Sequence, residues 1–333
     1  MTSRNRRVRL HIENVSTMAP VFQVQPEQYE AAAARHRRLA ARVDATIAWD
    51  LTSFDEAMKT ADVLVGWRFP REDLARRAPR LKWIHMTGAG IEHIMPLDWL
   101  PPGAVVTTNS GVHALKAGEF ASMAMLMISN RIPSMFTAQR DGRWHRMFTT
   151  PIRGKTLLIV GVGAMGGTAA ERAQQLGMRV LGIRRSGRRH RHVDEMGKPG
   201  DLDRFLPRAD IVLVTVPLTK ETRQLVGKRE LDLMKPEAGL INMGRARVVD
   251  YEALAAKLTR EELSGAILDV FDPEPLPADS PLWTTPHLLI SPHVSSDDVV
   301  QYVPRTLDLI FENVRRLLAG RPLKNRVVPE REY

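Results

Sequence analysis

The chain of 333 residues contains no cysteine. Disulfide bridges, thiolate nucleophiles and thiolate-bound zinc are therefore excluded. Long apolar runs are also missing, and none approaches the ~20 residues that a membrane-spanning helix requires. Aromatic residues make up only 6% of the chain. Neither a zinc-finger spacing nor an aromatic RNA-binding signature is present, and there is no internal repeat or low-complexity segment. The start, MTSRNRRVRL, is basic but lacks the apolar centre of a signal peptide, and a strand-like pattern follows at once. The expectation is a soluble, cytoplasmic protein.

The chain is rich in apolar residues and positive charge. The apolar content of 44% supports two ordinary domains with cores of their own. The net charge of +10 suits either nucleic acid or small anionic ligands. The longest basic cluster, Arg184 to His192, directly follows a predicted strand, whereas other arginines such as Arg35, Arg37, Arg38 and Arg42 are scattered on a helix. The charge is therefore read as attraction for anionic small molecules, with no nucleic-acid or membrane partner. His190, His192 and Asp194 lack ligand spacing, and no metal is expected.

Short apolar runs alternate with helical patterns along the whole chain, the signature of a parallel α/β protein. Strands are expected at Val8–Ile12, Val63–Val65, Leu81–Met86 and Val105–Thr108, with a helix over Pro26–Val43 that has proline in its first turn. A long helix is expected over Lys116–Arg131. Six further strands, at 156–160, 179–183, 211–216, 239–242, 266–271 and 288–291, fit a doubly wound sheet. Val299–Leu318 reads as an amphipathic helix that folds back onto the first unit. The expected division is a discontinuous substrate-binding domain, 1–108 with 294–333, and a dinucleotide-binding domain, 109–293.

The segment KTLLIVGVGAMGGTAAERAQQLGMRVLGIRRSGRR, Lys155 to Arg189, reads as strand, glycine turn, helix and strand, the order a dinucleotide site requires. Gly161 permits the tight turn, and Gly163 lets a pyrophosphate approach the backbone at Ala164 and Met165. Gly166 brings the helix close to the strand, with its positive end toward the phosphates. After the second strand an NAD site usually carries an acid for the ribose hydroxyls. Here Arg184, Arg185 and Ser186 stand instead. Guanidinium groups bind phosphate in a bidentate manner, so the reading is NADP(H), with NAD(H) weaker.

Three polar residues follow strand ends in the second unit, at the edge where open α/β sheets bind ligands: Arg245, Glu274 and His293. Together they suit reduction of a 2-oxoacid. Arg245 offers a fork for the carboxylate and polarises the carbonyl. His293 donates the proton, and Glu274 beside it favours the imidazolium. None of the four tyrosines has a lysine four positions later, which disfavours short-chain dehydrogenase chemistry.

The pieces GAGIEHI (88–94), GKTLLIVGVGAMG (154–166), ADIVLVTVPLTKET (209–222), LINMGRARVVD (240–250), LDVFDPEPLP (268–277) and SPHVSS (291–296) resemble the D-isomer-specific 2-hydroxyacid dehydrogenases, in the family's order. The arginine-rich end of the second strand looks like the NADP-preferring glyoxylate/hydroxypyruvate reductase branch. The resemblance implies a Rossmann-type doubly wound sheet, a smaller flavodoxin-like parallel α/β substrate domain and a homodimer, with the long helix and Trp144 at its interface. It maps the catalytic triad onto Arg245, Glu274 and His293. Carboxylate binding maps onto the backbone turn Gly88, Ala89, Gly90. It adds Val216, Pro217, Thr222 and the nicotinamide-contacting Asp269 to the cofactor side. Ala246 stands where the family often has glycine, and a strained backbone is the concern there. His287 occupies a position often held by asparagine and is read as a loop residue. Two alternatives stay open: the same chemistry on a bulkier 2-oxoacid, or a non-catalytic NADP(H)-sensing module.

Overall fold

The computed structural model describes residues 7–331. The basic start Met1–Arg6 and the last two residues, at the outer limits of the expected discontinuous domain, lie outside the described residues. The chain forms two compact units: one runs up to His113 and resumes at Asp298, and the other is Ala114–Asp297.

The first unit is built on strands β1 (Val8–Asn14), β2 (Val43–Trp49), β3 (Val63–Gly66), β4 (Trp83–Met86) and β5 (Val105–Thr107). Their order is β2-β1-β3-β4-β5 and every pairing is parallel, which is the flavodoxin-like arrangement. Strands β3 and β4 are buried along their whole length, as strands covered on both faces must be. The C-terminal helix Tyr302–Leu318 completes this core. Val303, Leu307, Ile310, Phe311 and Val314 fall on one stripe and pack with Val8, Leu10 and Val63. Each such buried side chain contributes about 2 kcal/mol. Asn109, wholly buried, joins the helix to the sheet by donating to the Thr306 hydroxyl (2.7 Å) and the Thr87 carbonyl (2.8 Å).

The helix expected over Pro26–Val43 is shorter. It spans Pro26–Arg35, breaks at His36 and resumes for one turn, Arg37–Ala40, before β2 begins at Val43. A tertiary contact accounts for the break. The His36 ring stacks on Phe311 at 4.8 Å and bonds to Asp308 at 2.8 Å, both on the C-terminal helix. Beyond it, VDATIAW alternates and pairs in register with β1 from Val8↔Val43 to Asn14↔Trp49.

The second unit holds β6 (Thr156–Val160), β7 (Arg179–Ile183), β8 (Glu195–Gly197), β9 (Ile211–Val214), β10 (Gly239–Asn242), β11 (Gly265–Leu268) and β12 (Leu288–Ile290). Their order is β12-β11-β10-β9-β6-β7-β8, again all parallel. This is the doubly wound order 3-2-1-4-5-6 with one more strand, β12, at the edge. All six expected strands form, and three of them stop earlier than expected, at Val214, Leu268 and Ile290. The residues beyond these ends leave the sheet as loops. Like β2, strand β8 was not among those expected; it has three residues and no apolar run, and Glu195 within it pairs with Arg204 (2.7 Å) and Arg208 (2.5 Å). The long helix, Ala114–Ser129, packs on the helix Ala164–Gln175, where a Cβ on Gly118 would fall 2.4 Å from Thr168. Among the described residues no helix is long and apolar enough to cross a membrane.

His85 on β4 bonds to Thr107 (2.8 Å), and burial pushes its pKa from 6.5 down to about 4. Between those values the unfolded chain holds a proton at this site and the folded chain does not. Stability is therefore complete above pH 6.5 and falls as the pH drops toward 4. Urea unfolding at pH 4.5 is expected to show about 2–3 kcal/mol less stability from this group than at pH 7.5. His85→Gln should remove that part of the slope, and an unchanged slope would contradict the assignment.

Candidate active site

At the end of β6 the chain turns at Gly161 with φ +109°, a conformation that favours glycine. A Cβ there would fall 2.8 Å from the Val216 amide nitrogen, and one on Gly166 would fall 2.2 Å from the Gly161 carbonyl. Gly163 faces open space and is the N-cap of the helix Ala164–Gln175, an end that no side chain caps. The first-turn amides at Ala164, Met165 and Gly166 are thus left for an outside acceptor, at the positive end of the helix. An open glycine beneath an uncapped helix start fits the pyrophosphate of a dinucleotide in both shape and charge.

Beside this turn lies the loop after β9. The Val216 backbone is approached from two sides, because a Cβ on Gly244 would fall 2.7 Å from its carbonyl. Pro217 and Thr222 close the loop: the Thr222 hydroxyl donates to the Pro217 carbonyl (2.7 Å) and accepts from the Thr219 amide (2.8 Å). At the end of β7, Arg184 donates its amide to Gly197 of β8 and starts a tight turn closed by the Gly187 amide. Arg185 pairs with Glu221 at 3.2 Å. Among the described residues Arg184 has no carboxylate partner, and the Ser186 hydroxyl accepts from the Arg188 amide.

The three polar residues read from the strand ends all lie in this unit. After β11, Glu274 accepts from the Phe271 amide through Oε1 (2.8 Å) and meets His293 Nδ1 through Oε2 (2.8 Å). A carboxylate can only accept, so Nδ1 carries the hydrogen and Nε2 is the nitrogen that remains for other partners. His293 stands in the left-handed region at φ +55° and is 44% exposed at its side chain, open enough to meet a ligand. Arg245 follows β10, is half-buried and bonds to the Gly244 carbonyl (2.8 Å). Ala246 opens the short turn Ala246–Val248 and is not a positive-φ residue, so the strain feared there does not arise.

Asp269 does something the motif did not reveal. Its buried carboxylate accepts from the Ser291 hydroxyl (2.7 Å) and from the amides of Val294 (3.0 Å) and Ser295 (3.1 Å). It clamps the loop carrying His293. Burial raises its pKa, and these bonds together with the nearby His293 oppose the rise. Asn242 and Tyr251 were also missed. Asn242 is fully buried at the end of β10, donating to the Arg245 carbonyl (3.1 Å) and the Tyr251 hydroxyl (2.8 Å). The alternation of apolar and polar residues could have flagged Asn242 as a buried polar group in need of partners. Nothing local marked Tyr251. His287 takes φ +59°, a conformation that asparagine also tolerates, and bonds to Ser134 (2.9 Å).

Gly88, Ala89 and Gly90 belong to the first unit, beyond the end of β4. The Trp67 indole covers Gly88 so closely that a Cβ would fall 2.4 Å from it, and Trp67 in turn packs on His93 at 4.2 Å. Gly88 also accepts from the Asn109 amide (2.9 Å).

Residues 122–295 match the family model described as "D-isomer specific 2-hydroxyacid dehydrogenase, NAD binding domain". A glyoxylate reductase of Thermococcus gammatolerans is 32% identical over 275 residues, covering 78% of this chain and 82% of that one. A D-isomer specific 2-hydroxyacid dehydrogenase from Xanthobacter autotrophicus Py2, solved with NADPH and MES, superposes with a TM-score of 0.82 at 30% identity, over 98% of this chain and all of that one. An NADPH-dependent glyoxylate/hydroxypyruvate reductase from Sinorhizobium meliloti, solved with NADP and sulfate, gives 0.80 at 25% identity, over 97% and 99% of the two chains. A matched dinucleotide domain, a relative similar over most of both chains, and a histidine–glutamate pair at the carboxyl edge of the sheet agree: the chain belongs to the D-isomer specific 2-hydroxyacid dehydrogenase family.

Proposed function

We propose that this protein reduces a small 2-oxoacid, of the glyoxylate or hydroxypyruvate type, to the D-2-hydroxy acid with NADPH. The observation that carries the reading is the 2.8 Å contact of His293 Nδ1 with Glu274, which leaves Nε2 as the proton donor. Glu274 orients the ring and fixes the hydrogen on Nδ1. Arg245 binds the substrate carboxylate and polarises the carbonyl, and the turn Gly88, Ala89, Gly90 is assigned to the same carboxylate.

Gly161, Gly163, Ala164, Met165 and Gly166 would hold the pyrophosphate, with Val216, Pro217 and Thr222 along the same cofactor. Arg184, Arg185 and Ser186 would hold the 2′-phosphate, and Asp269 the carboxamide. When bound, the nicotinamide supplies the hydride. The lack of a carboxylate partner for Arg184 among the described residues supports the phosphorylated cofactor, as do the NADPH and NADP held by the Xanthobacter and Sinorhizobium proteins. A homodimer is assigned to the second unit. Leu115, Met123, Leu126, Phe136, Trp144 and Phe148 are exposed there, with Trp144 and Phe148 each 91% accessible, and these are the large apolar side chains that a partner subunit would cover.

Steady-state rates with glyoxylate or hydroxypyruvate should favour NADPH over NADH. Arg184→Ala should weaken NADPH by about 10-fold or more, the worth of a charge-assisted phosphate contact, with little change for NADH. Equal use of both cofactors by the unaltered protein would refute the cofactor assignment. His293→Ala is expected to cut kcat by about 10²–10⁴ while NADPH still binds by fluorescence titration. Undiminished turnover would place the acid elsewhere. Sedimentation at micromolar concentration should give twice the chain mass, and a monomer there would rule out the dimer.

A further inference from the structure

We propose that Tyr251 is a positioning residue whose hydroxyl ties the loop of Arg245 to the loop after β11, which carries Glu274 and, through Asp269, anchors the separate loop of His293. The inference rests on the catalytic reading of those three residues given above.

The two loops leave neighbouring strands, β10 and β11, and a chain of hydrogen bonds through the Asn242 and Tyr251 side chains joins their backbones. Asn242 uses all of its polar atoms. Its Oδ1 accepts from the Gly244 amide (3.0 Å), and the two hydrogens of Nδ2 go to the Arg245 carbonyl and the Tyr251 hydroxyl. Having accepted from Asn242, the Tyr251 hydroxyl donates to the Val270 carbonyl at 2.8 Å. Val270 sits between the residues that organise the other half of the site. Asp269 before it clamps the His293 loop, and the Phe271 amide after it binds Glu274. The direction of donation is fixed by chemistry, because an amide nitrogen can only donate and a carbonyl can only accept.

Tyr251 is itself held firmly. It is the first residue of the helix Tyr251–Thr259, which Asp250 caps by accepting from the Ala253 amide (3.0 Å). Its ring meets the edge of Phe271 at 6.2 Å. Burial pushes the hydroxyl well above its ordinary pKa of 10, so it stays a donor. A cavity of about 750 Å³ borders the same loops, lined in part by Arg247, Tyr251, Phe271, Asp272 and Pro273. There the loops border open space, and the hydrogen-bonded chain joins them alongside the core packing of Val248, Val249 and Phe271 and the Arg247–Asp272 ion pair. A displacement of Arg245 by about 1 Å relative to His293 is enough to cost a large part of the rate.

Tyr251→Phe keeps the ring and removes the tether. The variant should melt close to the unaltered protein and bind NADPH equally well. Its kcat/KM for glyoxylate or hydroxypyruvate should fall about 10-fold or more, with both a higher KM and a lower kcat. Amide exchange should quicken in two separate segments, 243–249 and 270–275. With Arg245→Lys already in place, adding Tyr251→Phe should cost less than about 2-fold, because the residue it positions is gone. Exchange unchanged in either segment, or kcat/KM within about 2-fold of the unaltered protein, overturns the proposal. If the unaltered protein turns over neither oxoacid, the catalytic reading fails separately, and the exchange measurement alone decides whether the tether exists.

Discussion

A carboxylate taken out of water has to be met by donors, and at Asp269 this requirement shapes the site. The group is almost wholly buried, and its oxygens are answered by one hydroxyl and two backbone amides, all from the segment Ser291–Ser295. Leaving those donors and that acceptor unmet would cost several kcal/mol, far more than the strain of about 1 kcal/mol in a left-handed His293. The loop therefore adopts the conformation that satisfies Asp269, and His293 is carried into reach of Glu274 as a consequence. The acid of the proposed reaction owes its place to a residue that need not touch the substrate.

The same edge of the sheet depends on close backbone packing. Gly161 and Gly244 approach the Val216 backbone from β6 and β10, and Gly166 approaches Gly161, at distances no side chain would permit. Strands β6, β9, β10, β11 and β12 end level with one another, at Val160, Val214, Asn242, Leu268 and Ile290, and the chain leaves the sheet there in loops. A parallel sheet buried on both faces concentrates free loops at its ends, and ligands bind at the carboxyl end. Glycine where backbone meets backbone, and polar residues just beyond, are two results of one constraint.

The excess of positive charge is not spread evenly in its consequences. Many arginines are neutralised locally; Arg204 and Arg208 hold Glu195 so well that its pKa is lowered to about 2. Such pairs along β8 also guard the edge of the sheet against association with another strand. Arg184, by contrast, stands at a strand end with no carboxylate partner among the described residues. That contrast distinguishes an arginine available to an anion from one engaged in an ion pair, and composition cannot make the distinction.

The glycine turn, the alternation of strands and helices, and the positions of Arg245, Glu274 and His293 were readable because each depends on local chemistry. A tight turn needs glycine, a buried strand needs an apolar run, and a polar residue directly after such a run lies at the sheet edge. Strand β8 was invisible because three residues of mixed polarity carry no period. The helix from Pro26 was read too long because its break comes from Phe311 and Asp308, far along the chain. Likewise Asp269 as a clamp, Asn242 as a pin and Tyr251 as a bridge exist only once β10, β11 and β12 lie side by side. Local propensity and periodicity are written in neighbouring residues, so sequence by itself determined the fold class and which polar residues follow the strand ends. Partnership between buried polar atoms is set by which strands are adjacent, and that was decided by tertiary structure alone.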